Sequence, residues 1–143
     1  YSLRAITNVA HPEASIVAYD IFEDFPYHHA ERTKLIDEFG ASTIQYGDFY
    51  LKDRDFKTGE IDFLHIDIAN DGDVFEFFFR YWMPKLARTG LALLEGGSWE
   101  RDNYNWMKKY EKKKIRPVLD QYNSSCRILV LEPFPSLTLV NWR

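Results

Sequence analysis

The chain has 143 residues, 45% of them hydrophobic and 17% aromatic, with only 7 glycines and 6 prolines; that composition excludes a disordered, collagenous or low-complexity polymer and is enough for one buried core. A formal net charge of −4 argues against nucleic acid as the main partner, and no run approaches the ~20 apolar residues of a membrane span.

In chain order, Leu3, Ile6, Val9 and Ala10 recur at helical spacing, so residues 2–10 are predicted as a helix, closed at His11–Pro12 because proline disfavours helix in the residue before it. Residues 15–22 are apolar and β-branched up to Asp20 and turn acidic at Glu23 and Asp24, the pattern of a buried strand ending on a polar rim. Residues 29–39 read as a helix stopped by Gly40, with His28 and His29 at its surface start. Residues 42–46 form the next strand, and Gly47, Asp48 and Phe49 turn off its end.

A polar loop over 51–60 leads to the most informative stretch. Two apolar runs, 61–67 and 91–95, each end on a carboxylate, Asp67 and Glu95, and an amphipathic segment over 74–86 separates them. Strands buried on both faces read as unbroken apolar runs, and parallel strands need a crossover helix, so this is a βαβ unit of a parallel α/β sheet. Residues 87–90 are expected to end the helix, with Gly90 as a left-handed stop. Ligands of such sheets sit at the carboxyl ends of the strands, where Asp20, Asp67 and Glu95 all fall.

Residues 99–122 are helical in pattern, with Pro117 restarting the helix to give two pieces. Within them Lys108, Lys109, Lys112, Lys113, Lys114 and Arg116 read as a solvated helix face. Residues 127–132 and 137–142 are β-rich and separated by Pro133–Phe134–Pro135–Ser136, which predicts a terminal antiparallel hairpin. Cys126, the only cysteine, rules out an internal disulfide and suits a reducing, cytoplasmic setting, with apolar neighbours that suggest an inert buried thiol. No repeat or linker interrupts the chain, so 1–143 is expected to be a single domain.

Three parallel βα units, a fourth strand and a reversed hairpin resemble a class I S-adenosylmethionine-dependent methyltransferase over nearly the whole chain. The most specific segment, 61–97, reads "IDFLHIDIANDGDVFEFFFRYWMPKLARTGLALLEGG" and is similar to the block of small-molecule and sugar O-methyltransferases of the methyltransferase 24 type. The resemblance implies a Rossmann-like three-layer sandwich and S-adenosylmethionine as cofactor. It puts Asp67 of "HID" beside the sulfonium, Asp20 of "IVAYD" on the ribose hydroxyls, and Asp48 of "YGDF" on the adenine amino group. Ile21, Gly47 and Phe49 would then lie against the nucleoside. A carboxylate accepts two hydroxyl donors through charge-assisted bonds, and a sulfonium favours a nearby anion, so these residue types suit those roles.

The glycine-rich turn that the family carries after its first strand is absent from this sequence. The stretch Tyr1–Ser2–Leu3 resembles the start of the family's first helix, just past that turn, so the first strand, the middle member of the sheet, is expected upstream of residue 1, leaving an N-terminally truncated domain. One branch of the family holds a divalent ion between the acid matching Asp67 and an acidic pair ending the next strand. Here that pair is Glu95–Gly96, which leaves Mg2+ at Asp67 and Glu95 an open alternative, with Asn70 or Asp71 to complete it.

Without metal, His65 is the candidate base by type, or else a packed structural histidine. Asp20, Asp48 and Asp67 each have a plainer reading as a helix cap or turn acid, and Glu95 as a solvated loop acid. Trp99, Tyr104 and Trp106 are an acceptor wall or simple helix–sheet packing. The expected function is O-methylation of a small molecule, with a sugar or glycoside favoured over a catechol and neither nucleic acid nor membrane as partner. The other readings are a degenerate accessory module of a larger glycan-processing protein and an NAD-dependent oxidoreductase.

Overall fold

A computed structural model of the protein describes residues 2–21 and 28–143, the side chains of His28 and His29 excepted. The expectations for Phe22, Glu23 and Asp24, and for the surface setting of His28 and His29, lie outside the described residues. The chain divides into two compact units, one ending at Lys52 and the other running from Asp53 to Arg143. Among the described residues no helix is long and apolar enough to cross a membrane.

In the first unit, helix α1 (Ser2–Val9) precedes strand β1 (Ala18–Asp20), helix α2 (His28–Phe39), strand β2 (Ile44–Tyr46) and the one-turn helix α3 (Phe49–Lys52). The strands pair in parallel, Ala18 opposite Ile44 and Asp20 opposite Tyr46. Both are shorter than their apolar runs suggested, because the ladder closes only where both backbones are extended. Gly40 ends α2 as expected, at φ +87°, donating its N–H to the Ile36 carbonyl at 2.8 Å.

The second unit is a four-stranded sheet in the order β3-β4-β6-β5, built from β3 (Ile61–Ile66), β4 (Leu86–Glu95), β5 (Cys126–Leu131) and β6 (Leu137–Trp142). Strands β3 and β4 are parallel, and the predicted terminal hairpin is present, with β6 inserted antiparallel between β4 and β5. The architecture is therefore the expected α/β class, with two parallel pairs and a reversed hairpin.

The crossover departs from its expected bounds. Helix α4 (Gly72–Phe77) passes into a wider π turn over Phe78–Trp82 and a tight 3-10 turn over Met83–Lys85, where Pro84 lacks the N–H that a continuing helix needs. Strand β4 then starts at once, so Gly90 lies within the strand and is not a left-handed helix stop. A Cβ at Gly90 would stand 2.8 Å from the Ile61 carbonyl oxygen, so glycine serves here for close backbone approach. Residues 87–90 bulge against the single Asp62 between the pairs Ile61–Leu86 and Phe63–Leu91.

The region expected to hold two helical pieces holds three: α5 (Trp99–Asn103), α6 (Asn105–Lys109) and α7 (Arg116–Tyr122), with Pro117 in the first turn of α7. The basic run is accordingly not one helix face. Lys112 pairs with Asp71 at 3.1 Å, Lys113 with Glu76, and Arg116 with Glu132, while Lys114 lies 5.9 Å from the centre of the Trp99 ring. The core of this unit combines Val74, Phe75, Phe78, Met107, Ile115, Val118 and Leu119 with Ile66, Ala92, Leu94 and Val140 from the sheet, each under 5% exposed. Burying side chains of this size stabilises by about 1.5–3 kcal/mol each. Cys126 is buried and free, and burial pushes its thiol pKa up, in keeping with an unreactive residue.

Candidate functional site

In the first unit, Asp20 is the exposed last residue of β1, and its carbonyl accepts the Gly47 N–H at 3.1 Å. Gly47 is buried, and a Cβ there would run into Tyr19 and Lys52, 2.6 and 2.8 Å away; the Lys52 ammonium lies 5.2 Å from the Tyr19 ring centre. Asp48 opens α3, one carboxylate oxygen accepting from the Tyr50 N–H at 2.9 Å, so its turn-forming role is present. Phe49 meets Tyr50 edge-on at 5.1 Å, and Ile21 is 37% exposed. The carboxyl edge of this small sheet thus carries Asp20 and Asp48 as acceptors. Such a pair of acceptors fits the hydroxyl and amino donors of a nucleoside.

In the second unit, side-chain alternation puts Phe63 and His65 on the same sheet face as their register neighbours Leu91 and Leu93, and as Glu95 two residues further on, and turns Leu64 and Ile66 to the other face. Asp67 is exposed just past β3, and Glu95 is the half-buried last residue of β4. Burial pushes the Glu95 carboxyl above the usual carboxylate range, the Arg101 guanidinium opposes that, and the neighbouring Asp67 carboxyl adds to the rise. The two acids thus stand at the ends of adjacent parallel strands, on one rim of the sheet.

Asp67 does not cap the next helix. That role belongs to Asp71, which accepts from the N–H groups of Asp73 and Val74 at 3.0 and 3.1 Å and pairs with Lys112. Asn70 is fully buried. Its side-chain amide donates to the Glu95 carbonyl at 2.8 Å and the Ile66 carbonyl at 3.2 Å, while its own side-chain oxygen is buried without a partner.

Arg101 is the residue that sequence reasoning missed. Ser98 caps α5 by accepting the Arg101 N–H at 3.1 Å, and the double glycine before it, at φ +100° and +108°, folds the chain back. The Arg101 guanidinium then reaches the strand ends: one nitrogen donates to the Asn70 carbonyl at 3.0 Å, the other stands 3.9 Å from the Glu95 carboxylate, and the Trp106 ring lies 5.2 Å away. The available signal was a capping serine three residues before an arginine, directly after a strand that ends in an acid.

The aromatic residues following Glu95 do not simply pack helix on sheet. Trp99 is 64% and Tyr104 50% exposed, Tyr104 stacked on Phe134 at 4.9 Å.

The Mg2+ alternative does not fit these residues. Lys112 and the α4 cap engage Asp71, Arg101 faces Glu95, and no group of three or more histidine, cysteine or acidic side chains converges among the described residues. A strand-end carboxylate that already faces a guanidinium makes a poor ligand for an ion that wants six oxygens.

No protein-family model matches the chain, and no curated protein does. Solved structures do share its fold. A protein from Corynebacterium glutamicum is similar at 14% identity and a TM-score of 0.65, over 96% of this chain and 64% of that one. A methyltransferase from Podospora anserina, crystallised with SAH bound, is similar at 15% identity and a TM-score of 0.52, over 89% of this chain and 59% of that one. A candidate caffeoyl-CoA O-methyltransferase from Staphylococcus aureus is similar at 13% identity and a TM-score of 0.64, over 99% of this chain and 70% of that one. The chain has the Rossmann-like fold of class I methyltransferases. It spans about three fifths of the length of the first two structures, at 64% and 59%.

Proposed function

We propose that the chain belongs to an S-adenosylmethionine-dependent O-methyltransferase of the methyltransferase 24 type, acting on a hydroxyl of a small molecule, a sugar or glycoside before a catechol, in the cytoplasm. The observation that carries this reading is the placement of Asp67 and Glu95 at the carboxyl ends of adjacent parallel strands in a methyltransferase fold. In open α/β sheets that edge is where ligands bind.

When bound, the donor supplies an electrophilic methyl group on a cationic sulfur. Asp20 would accept from the ribose hydroxyls and Asp48 from the adenine amino group, with Ile21, Gly47 and Phe49 against the nucleoside and Asp67 countering the sulfonium charge. Glu95, whose carboxyl holds its proton more tightly than an ordinary carboxylate, is the base for the acceptor hydroxyl, with His65 as the alternative on the same sheet face. Trp99 and Tyr104 offer exposed ring faces that suit the C–H face of a sugar.

The test is calorimetric titration of the whole polypeptide with S-adenosylhomocysteine. Saturable binding is expected, weakened by about tenfold or more in Asp20→Ala and Asp67→Ala. A folded protein that ignores the ligand overturns the proposal and leaves the accessory module; binding of NAD instead points to an oxidoreductase. Methyl transfer is expected to survive exhaustive chelation.

A further inference from the structure

We propose that Arg101 is the resident cation of the Asp67–Glu95 edge, supplying the positive charge that a divalent ion would otherwise bring and thereby keeping metal out. The balance of charge rests on geometry alone; its use in methyl transfer rests on the reading above.

Three features hold the guanidinium there. Its side chain is only 12% exposed. One nitrogen donates to the Asn70 carbonyl at 3.0 Å while another faces the Glu95 carboxylate at 3.9 Å. The Trp106 ring lies 5.2 Å from the guanidinium carbon, a distance at which a cation is attracted to the ring face. The Ser98 cap and the double glycine set the start of α5, so the arginine arrives from a rigid helical turn and not from a loose loop.

The remaining nitrogen, Nε, is buried without a partner, as is the Asn70 side-chain oxygen. Both orphaned groups belong to the residues that tie the strand ends, so this edge carries polar capacity beyond what its own contacts use. A guanidinium cannot lose its proton in a protein, which makes it a constant source of charge. For an acceptor hydroxyl giving up its proton at this edge, a fixed guanidinium would steady the negative charge that develops on oxygen, the contribution a Lewis-acidic ion makes elsewhere.

The experiment uses manganese(II) alone as the probe, titrated into the full chain and followed by calorimetry and by the electron paramagnetic resonance of the free ion. Wild type and Arg101→Lys are expected to show no saturable binding. Arg101→Met, which keeps the apolar stem beside Trp106, and Arg101→Ala are expected to gain it, tightening manganese binding by at least about tenfold over wild type. Adding Asp67→Asn to Arg101→Met is expected to abolish the gain. Far-ultraviolet circular dichroism and melting identify the variants that fold, and either arginine-free variant suffices for the comparison. Wild type binding manganese as tightly as the folded Arg101→Met or Arg101→Ala protein, or no gain in either, overturns the proposal. Titration with S-adenosylhomocysteine reports separately: failure there removes the methyltransferase reading and leaves the manganese result standing.

Discussion

The buried side-chain amide of Asn70 donates to the main-chain carbonyl of Glu95, tying the segment after β3 to the end of β4. Its second bond, to the Ile66 carbonyl, completes a clamp across both strand ends. Asn70→Ala would strand two carbonyls at the top of the sheet. Leaving buried acceptors unpaired gives an expected loss of about 2–4 kcal/mol, measurable as a lower urea midpoint at unchanged slope. Asn70→Asp should lose more, since it sets a carboxylate against the same carbonyls.

Asp102 works as an isolated buried cap. It is 2% exposed and accepts the N–H groups of Ile115 and Arg116 at 2.7 and 2.9 Å, holding the start of α7 from a helix elsewhere in the chain. Asp102→Ala should destabilise by about 1–3 kcal/mol, and Asp102→Asn by less because one amide oxygen still accepts. Hydrogen exchange at Ile115 and Arg116 should rise in both variants, with the larger change for alanine.

Gly97 is doubly constrained. Its φ of +108° disfavours any side chain, and a Cβ would overlap the Thr138 hydroxyl, which itself donates to the Gly96 carbonyl at 2.6 Å. Gly97→Ala is expected to lower stability by about 2–4 kcal/mol, and Thr138→Ala in the same chain to recover only part of that, because the overlap goes and the backbone strain stays. A double-mutant cycle by thermal melting separates the two contributions.

Glu95 gives stability a pH dependence of defined sign. Its folded pKa is raised by burial and then by Asp67, against the pull of Arg101, so the folded protein binds the proton more tightly than the unfolded chain. That contribution to stability is present at acid pH and is lost as the pH rises through the folded pKa. Glu95→Gln should therefore match wild type near pH ~4 and melt about 1–3 °C higher near pH ~7.5. Equal melting temperatures at both pH values would show that Arg101 fully offsets the burial.

The strands and their acidic ends are legible in the sequence because a run such as 61–67 or 91–95 admits few alternatives: it is apolar, short and closed by a carboxylate. The terminal hairpin is equally plain, its two strands parted by prolines that no central strand tolerates. Gly90 misleads because glycine has two uses, and only the Ile61 carbonyl beside it reveals which applies. The basic run misleads for the opposite reason: Asp71, Glu76 and Glu132, which pair with Lys112, Lys113 and Arg116, come from other elements. Asp67 and Glu95 can be paired from their strand-end positions, whereas Arg101 reaches Glu95 only through the glycine turn and the Ser98 cap. Tertiary approach of that kind leaves little local pattern.

The bulge in β4 governs which way the end of that strand looks. Four residues, 87–90, stand against the single Asp62, an odd surplus of three. Because neighbouring side chains point to opposite faces, the parity of that surplus decides the orientation of everything from Leu91 onward. Where trimming one residue there slips the ladder beyond it by one place, Glu95 takes the buried-face place of Leu94 and Leu94 moves to the opposite face. The chain thus has a length-sensitive rudder some distance upstream of its acids, where a single-codon deletion does what no substitution at the edge itself could.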